Sequence, residues 1–181
     1  KLHLHIANAN QTFTDAEIAI FKNTAQQAET FVSSEFAQFN YEVDVIITTP
    51  SFMLPTIAED GIAGKTLHSR LIMISVDKSQ HGVSEDFIFE TICHEMSHSL
   101  RWEKLPEYAE TMFDGMILEG LAVTLEEEAM IKLGRRNQQF FLREMQKTSQ
   151  AEIDKIIAAL QGNFEDKIYD YTKIFFTGDD I

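Results

Sequence analysis

Residues 94–98 read His-Glu-Met-Ser-His, and no other feature of the chain constrains its fold as tightly. Residues four apart in an α-helix lie about 40° apart around the axis, so two such histidines can reach one metal ion. The glutamate between them projects to the flank, where it can accept a proton from water without ligating the metal. The pattern therefore requires a helix, and the flanking residues supply one. Ser84 is an N-cap candidate, and Glu85 and Asp86 suit the positive end of the helix dipole. The expected helix runs from about Glu85 to Arg101. The competing reading is two histidines packed or solvated on an ordinary amphipathic helix.

A third ligand separates these readings. A metzincin would need Gly at position 101 and His at position 104, where this chain has Arg101 and Lys104. A gluzincin instead needs a glutamate on a second helix some twenty residues on. Glu119 lies 21 positions after His98, inside Leu118-Glu119-Gly120-Leu121-Ala122. A carboxylate in apolar company is costly to bury unless a cation compensates it. Gly120 costs roughly 1 kcal/mol against Ala in a helix interior. A bare residue there is expected to let two helices approach closely. The competing reading of Glu119 is an exposed helix acid.

The run from His94 to Trp102, followed by Leu118 to Ala122, resembles the DUF2268 family of predicted zinc-dependent proteases. The Glu-Gly-Leu-Ala element is also similar to the third-ligand helix of M1-type aminopeptidases. Upstream, Gly61 to Thr66 and the strand after it look like the family's Gly-rich turn and edge strand. The resemblance implies a zincin-like fold of gluzincin type, one bound Zn2+ and hydrolysis of a peptide or protein substrate. By position it implies His94, His98 and Glu119 as ligands and Glu95 as the catalytic acid/base. Members of the family continue past the equivalent of Phe175-Phe176-Thr177-Gly178, so the expectation is a domain lacking a C-terminal segment. A tyrosine that stabilises the oxyanion would lie there, and Tyr169 and Tyr171 are the local substitutes, against the alternative that aromatic residues at that density belong to the core.

Further candidates follow from position. Ligating histidines need hydrogen-bond acceptors behind them. Glu126, seven residues after Glu119, and Glu90, one turn before His94, are the candidates, against the alternative of solvated surface acids. Arg101 is a candidate for binding a substrate carboxylate or the oxyanion, or it simply pairs with the helix dipole. Gly64-Lys65-Thr66 is not a P-loop, because the first glycine would fall at Glu59. Cys93 diverges by about 100° from His94 and reads as core. His3, His5, His68 and His81 show no metal spacing. An inactive zinc-binding scaffold or interaction module is the alternative to a peptidase.

The organisation is α+β: a small N-terminal sheet with one helix, then a mostly helical part that carries the motif and Glu119. We expect a single zincin-like domain over residues 1–181, with the sheet in about 1–80 and the helical part in about 84–181. Leu2, Leu4 and Ile6 alternate as a strand. The capping box Thr14-Asp15-Ala16-Glu17 opens a helix to about Gln38, with Ile18, Phe21, Ala25, Ala28 and Phe31 or Val32 buried. Val43 to Thr49 is a strand, Pro50 to Gly64 a loop, and Leu71 to Val76 a third strand, read as an edge able to pair with an extended peptide or as an interior strand. Helices are expected from about Ala109 to Leu133, closed by Gly134, and from the capping box at Ser149 to Gly162. The Tyr- and Phe-rich remainder is read as helical.

Composition narrows the partners. Of 181 residues, 29 are acidic and 15 basic, a formal charge of −14. Such a surface repels phosphate backbones, which argues against nucleic acid. No stretch reaches the roughly 18 apolar residues of a membrane span. A single cysteine excludes an intrachain disulfide and points towards a reducing, cytoplasmic compartment. The start at Lys1 leaves open an exported form whose signal has been removed.

Overall fold

The computed structural model describes residues 1–50, 61–105, 109–136, 147–171 and 174–175, and the fold is α+β. It divides into two compact units, Lys1–Pro106 and Glu107–Ile181.

The first unit contains β1 (Leu2–Ile6), α1 (Asp15–Glu35), β2 (Val43–Thr48), β3 (Ile62–His68), β4 (Leu71–Val76), the short α2 (Lys78–His81) and α3 (Glu85–Lys104). The strands form one sheet in the order β1-β2-β4-β3. β1, β2 and β4 are parallel, and β3 runs antiparallel to β4. Cross-strand partners share a face. Leu4 faces Val45, Val45 faces Ile72, and Thr66 faces Ile72 in turn, so these residues all point the same way. That face is the apolar one and is covered by α1 and α3, which also pack on each other. Its core includes Phe21, Ala28 and Val32 of α1, Ile88, Phe89, Ile92 and Met96 of α3, and Val45, Ile47, Ile72 and Ile74 of the sheet. On the opposite face His5 and Asp44 are exposed and pair at 2.6 Å.

α1 opens with the expected capping box, Thr14 and Glu17 bonding each other's backbone N–H. It ends at Glu35, three residues before the expected Gln38. One expectation about the sheet is corrected and one open alternative is decided. Ile62–His68, half of it expected as loop, is a strand, joined to β4 through Ser69-Arg70. Consequently Leu71–Val76 is not an edge: it lies between β2 and β3, and the open edges among the described residues are β1 and β3. Residues 51–60 of the expected loop lie outside the described residues.

The second unit contains α4 (Met112–Lys132) and α5 (Gln150–Gln161). α4 starts at a capping box between Thr111 and Asp114. It closes at Gly134, whose φ of 68° suits a residue without Cβ, with Arg135 N–H donating to the Met130 carbonyl. α5 carries the predicted box of Ser149 and Glu152. The chain after Gly162 was expected to be helical. Through Asp170 it is instead turns and irregular structure. Two of its carbonyls bond to α4. Phe164 and Asp166 accept from the N–H groups of Phe113 and Met112, in the first turn of α4.

Candidate metal centre

α3 carries the motif because its ends and its faces agree. Ser84 caps it through the Phe87 N–H, acids occupy its first turn, and Arg101 and Lys104 occupy its last. Its apolar residues are buried against α1 and the sheet. Polar bonds then fix its second half. The Ser99 hydroxyl, fully buried, donates to the Ser69 carbonyl at 2.5 Å and lies 3.3 Å from the Tyr41 hydroxyl. Burial pushes the Tyr41 phenol above its ordinary range, and the Glu103 charge adds to this, while the Ser99 hydrogen bond and Arg70 oppose it. Arg70, stacked over Tyr41, donates to Glu103 at 2.7 Å, and that bond holds the Glu103 carboxyl below its usual range. The residue after His98 is therefore tied to the β3–β4 turn.

On this helix the Nε2 atoms of His94 and His98 lie 3.2 Å apart, with the rings nearly edge to face. Two nitrogens bound to one tetrahedral zinc at 2.0–2.1 Å would be separated by about 3.3 Å. The donor spacing and chemistry thus fit the metal that the sequence implies. His98 is buried and His94 half-buried.

Glu95 is buried, at 5 % exposure. It does not point at solvent but lies against β3. The Thr66 hydroxyl is 2.8 Å from its Oε2 and 2.9 Å from its backbone oxygen. Gly64 makes room for it: a Cβ at that position would fall 2.5 Å from Glu95 Oε1. Sequence reading missed both residues, having assigned Gly64 to a loop and Gly64-Lys65-Thr66 to a rejected phosphate motif. The one available signal was the glycine itself, since a glycine inside a strand marks close approach of another group.

In the second unit, Glu119 lies half-buried on α4, and the Tyr171 hydroxyl donates to its carboxylate. Tyr169, Tyr171 and Phe175 form an aromatic cluster, with Tyr171 and Phe175 ring centroids 4.8 Å apart. The cluster sits over Gly115, where a Cβ would meet the Tyr169 hydroxyl and the Phe175 ring at 2.8 Å. Burial pushes the Tyr169 phenol above its ordinary range, and the charges of Asp114 and Glu119 push it the same way. A Cβ at Gly120 would meet nothing within 4 Å among the described residues of its own unit. The tight glycine is Gly115, one turn earlier, where α4 receives the aromatic cluster.

The remaining candidates are less distinctive. Glu90 and Arg101 are half-buried on α3, and Glu126 is half-buried on α4. Cys93 is buried, as expected of a core residue. Among the described residues no helix is long and apolar enough to cross a membrane.

Comparison with known proteins adds a family. No curated protein and no solved structure matches the chain. A family model does, that of DUF2268, described as a predicted Zn-dependent protease, and it covers residues 21–181. Because the match spans both helices that carry the motif residues, and most of the chain with them, the protein belongs to the DUF2268 family.

Proposed function

We propose that this protein is a zincin-like metallopeptidase of gluzincin type, with two ligands from α3, His94 and His98, and a third from α4, Glu119. The observation that carries this reading is the 3.2 Å separation of the two Nε2 atoms beside a buried glutamate. Each of the three residues offers one ligand atom of a kind zinc accepts. The family description supports the same metal and the same class of reaction.

His94, His98 and Glu119 would hold the zinc, which when bound would lower the pKa of water towards 7 and polarise a carbonyl oxygen. Glu95 takes the proton of the attacking water and passes it to the departing amine. Tyr171 holds the Glu119 carboxylate rather than the oxyanion, so its contribution is to aim the ligand. Among the described residues β3 is an open edge of the sheet, and it is the strand that carries Gly64 and Thr66. An extended peptide adding to this strand would run past Glu95.

The test combines metal analysis with cleavage. Wild-type protein purified without chelator should hold one zinc and cut a quenched-fluorescence peptide library. Glu95→Gln should keep the zinc and lose about a thousandfold in turnover, within the range for removing a general base. Zinc in both proteins with cleavage by neither would identify a zinc-binding module instead. Absence of zinc from the wild type would end the metallopeptidase reading.

A further inference from the structure

The contacts of Glu95 with β3 differ for its two carboxylate oxygens. A threonine hydroxyl has one proton to donate, and Thr66 Oγ1 has two acceptors within reach, Glu95 Oε2 at 2.8 Å and the Glu95 carbonyl at 2.9 Å. The contact with the carboxylate is the shorter of the two. The carbonyl also has the helix ladder to serve, since α3 continues for two turns beyond it. The proton therefore belongs to Oε2. The second oxygen occupies the space above Gly64, where a methyl group would overlap Oε1, Cγ and Cδ at 2.5, 2.7 and 2.8 Å. Gly64 and Thr66 lie on the same face of β3, two residues apart, so one strand grips the side chain at two points.

We propose that Thr66 and Gly64 are positioning residues for Glu95: Thr66 holds Oε2 by a hydrogen bond, and bare Gly64 makes room for the rest of the carboxylate. This assignment rests on the reading of Glu95 as general base. A glutamate has three side-chain torsions, and a misplacement of about 1 Å can cost a hundredfold in rate. The strand removes that freedom before substrate arrives. The arrangement also explains a glycine and a threonine at strand positions where β-branched apolar residues would otherwise pack.

The contact itself is tested without catalysis. A double-mutant cycle of Thr66→Val and Glu95→Ala, followed by denaturant unfolding of the metal-free protein, should be non-additive by about tenfold or more in the unfolding constant. Additivity within about twofold overturns the proposal whether or not the protein cuts peptides. The role is tested in the zinc-loaded protein on a quenched-fluorescence peptide cleaved by wild type. Thr66→Val should lower kcat by about 10- to 100-fold, with KM and zinc affinity within about twofold. Thr66→Ser should recover most of the loss. Gly64→Ala should lower kcat at least as far as Thr66→Val, and if it fails to fold the threonine pair decides. A rise in KM in place of a fall in kcat, an unrescued Thr66→Ser, or a fully active Gly64→Ala overturns the role. Coupling in the cycle together with a wild type that cleaves nothing leaves the contact intact and defeats the peptidase reading instead.

Discussion

α3 and α4 carry the proposed ligands in different ways. Both begin at a capping side chain and both run about twenty residues. Beyond that they diverge. α3 is embedded: it packs on α1 and on two strands, and Thr66, Ser69 and Tyr41 fasten its residues 95 and 99 by hydrogen bonds. α4 is supported in its own unit by the chain that follows it. Carbonyls of Phe164 and Asp166 complete its first turn, and a small aromatic cluster lies over Gly115 and reaches Glu119 through one hydroxyl. Its outer positions Phe113, Ile117 and Leu121 are exposed, and no residue of α5 is buried. The histidines and the base are thus set by a packed core, whereas the glutamate is half-buried and takes a hydrogen bond from Tyr171.

The sharpest way to break this comparison is to remove one ligand from each helix. His98→Ala and Glu119→Ala should each lower zinc affinity by more than the 100-fold upper range for residues that merely orient ligands. The two should differ without metal. His98 is 4 % exposed, so its loss should also destabilise the metal-free protein, while half-buried Glu119 should not. Competition against a chromophoric chelator and thermal unfolding of metal-free protein give the two readouts. Glu119→Ala binding zinc as tightly as wild type would remove it from the ligand set.

Tyr171→Phe comes next in size. It keeps the ring in its cluster and deletes only the hydroxyl that meets Glu119. Zinc affinity should fall by about 10- to 100-fold, the usual cost of losing a partner of a ligand. An unchanged affinity would show that Glu119 needs no help, and the contrast between the helices would then be one of packing alone.

The same contrast explains what could be read from the sequence. Helix signals in both units are local, which is why the boxes at Thr14 and Ser149, the cap at Ser84 and Gly134 all act where expected. His94, Glu95, His98 and Glu119 were legible because their spacing encodes a geometry within helices. β3 was not, because glycines at 61 and 64 resemble loop residues until Glu95 is seen to occupy the space above Gly64. Its pairing with β4 passes through Ser69-Arg70, a dipeptide without the Asn-Gly or Asp-Gly signature of a tight hairpin. Tyr171 was legible only as an aromatic residue in a rich stretch. Its contact with Glu119 joins residues 52 apart, and no local pattern records that.

The smallest expected effect concerns the outer anchor of α3. Glu103 on the last turn accepts from Arg70 in the β3–β4 turn, with Glu103 a quarter exposed and Arg70 about half exposed. The second unit has a counterpart in Lys167 and Glu110, but both of its side chains are more than half exposed. Chiefly through the Arg70 hydrogen bond, the folded-state pKa of Glu103 is lowered. A carboxyl whose folded pKa lies below its unfolded value stabilises the protein above the unfolded value, about 4.3 for Glu, and loses that contribution as pH falls through the folded value. Glu103→Gln should therefore leave less stability to lose as pH drops from about 5 towards 3, reducing proton uptake on unfolding by up to about one proton in that window. Glu110→Gln serves as the exposed control, since solvent screens its pair with Lys167. Chemical denaturation at a series of pH values, with each variant compared to wild type, reads both. Equal slopes for the two variants would mean that the anchor on α3 is no firmer than a surface ion pair, and the fixing of the helix would then fall to Ser99, Tyr41 and Thr66.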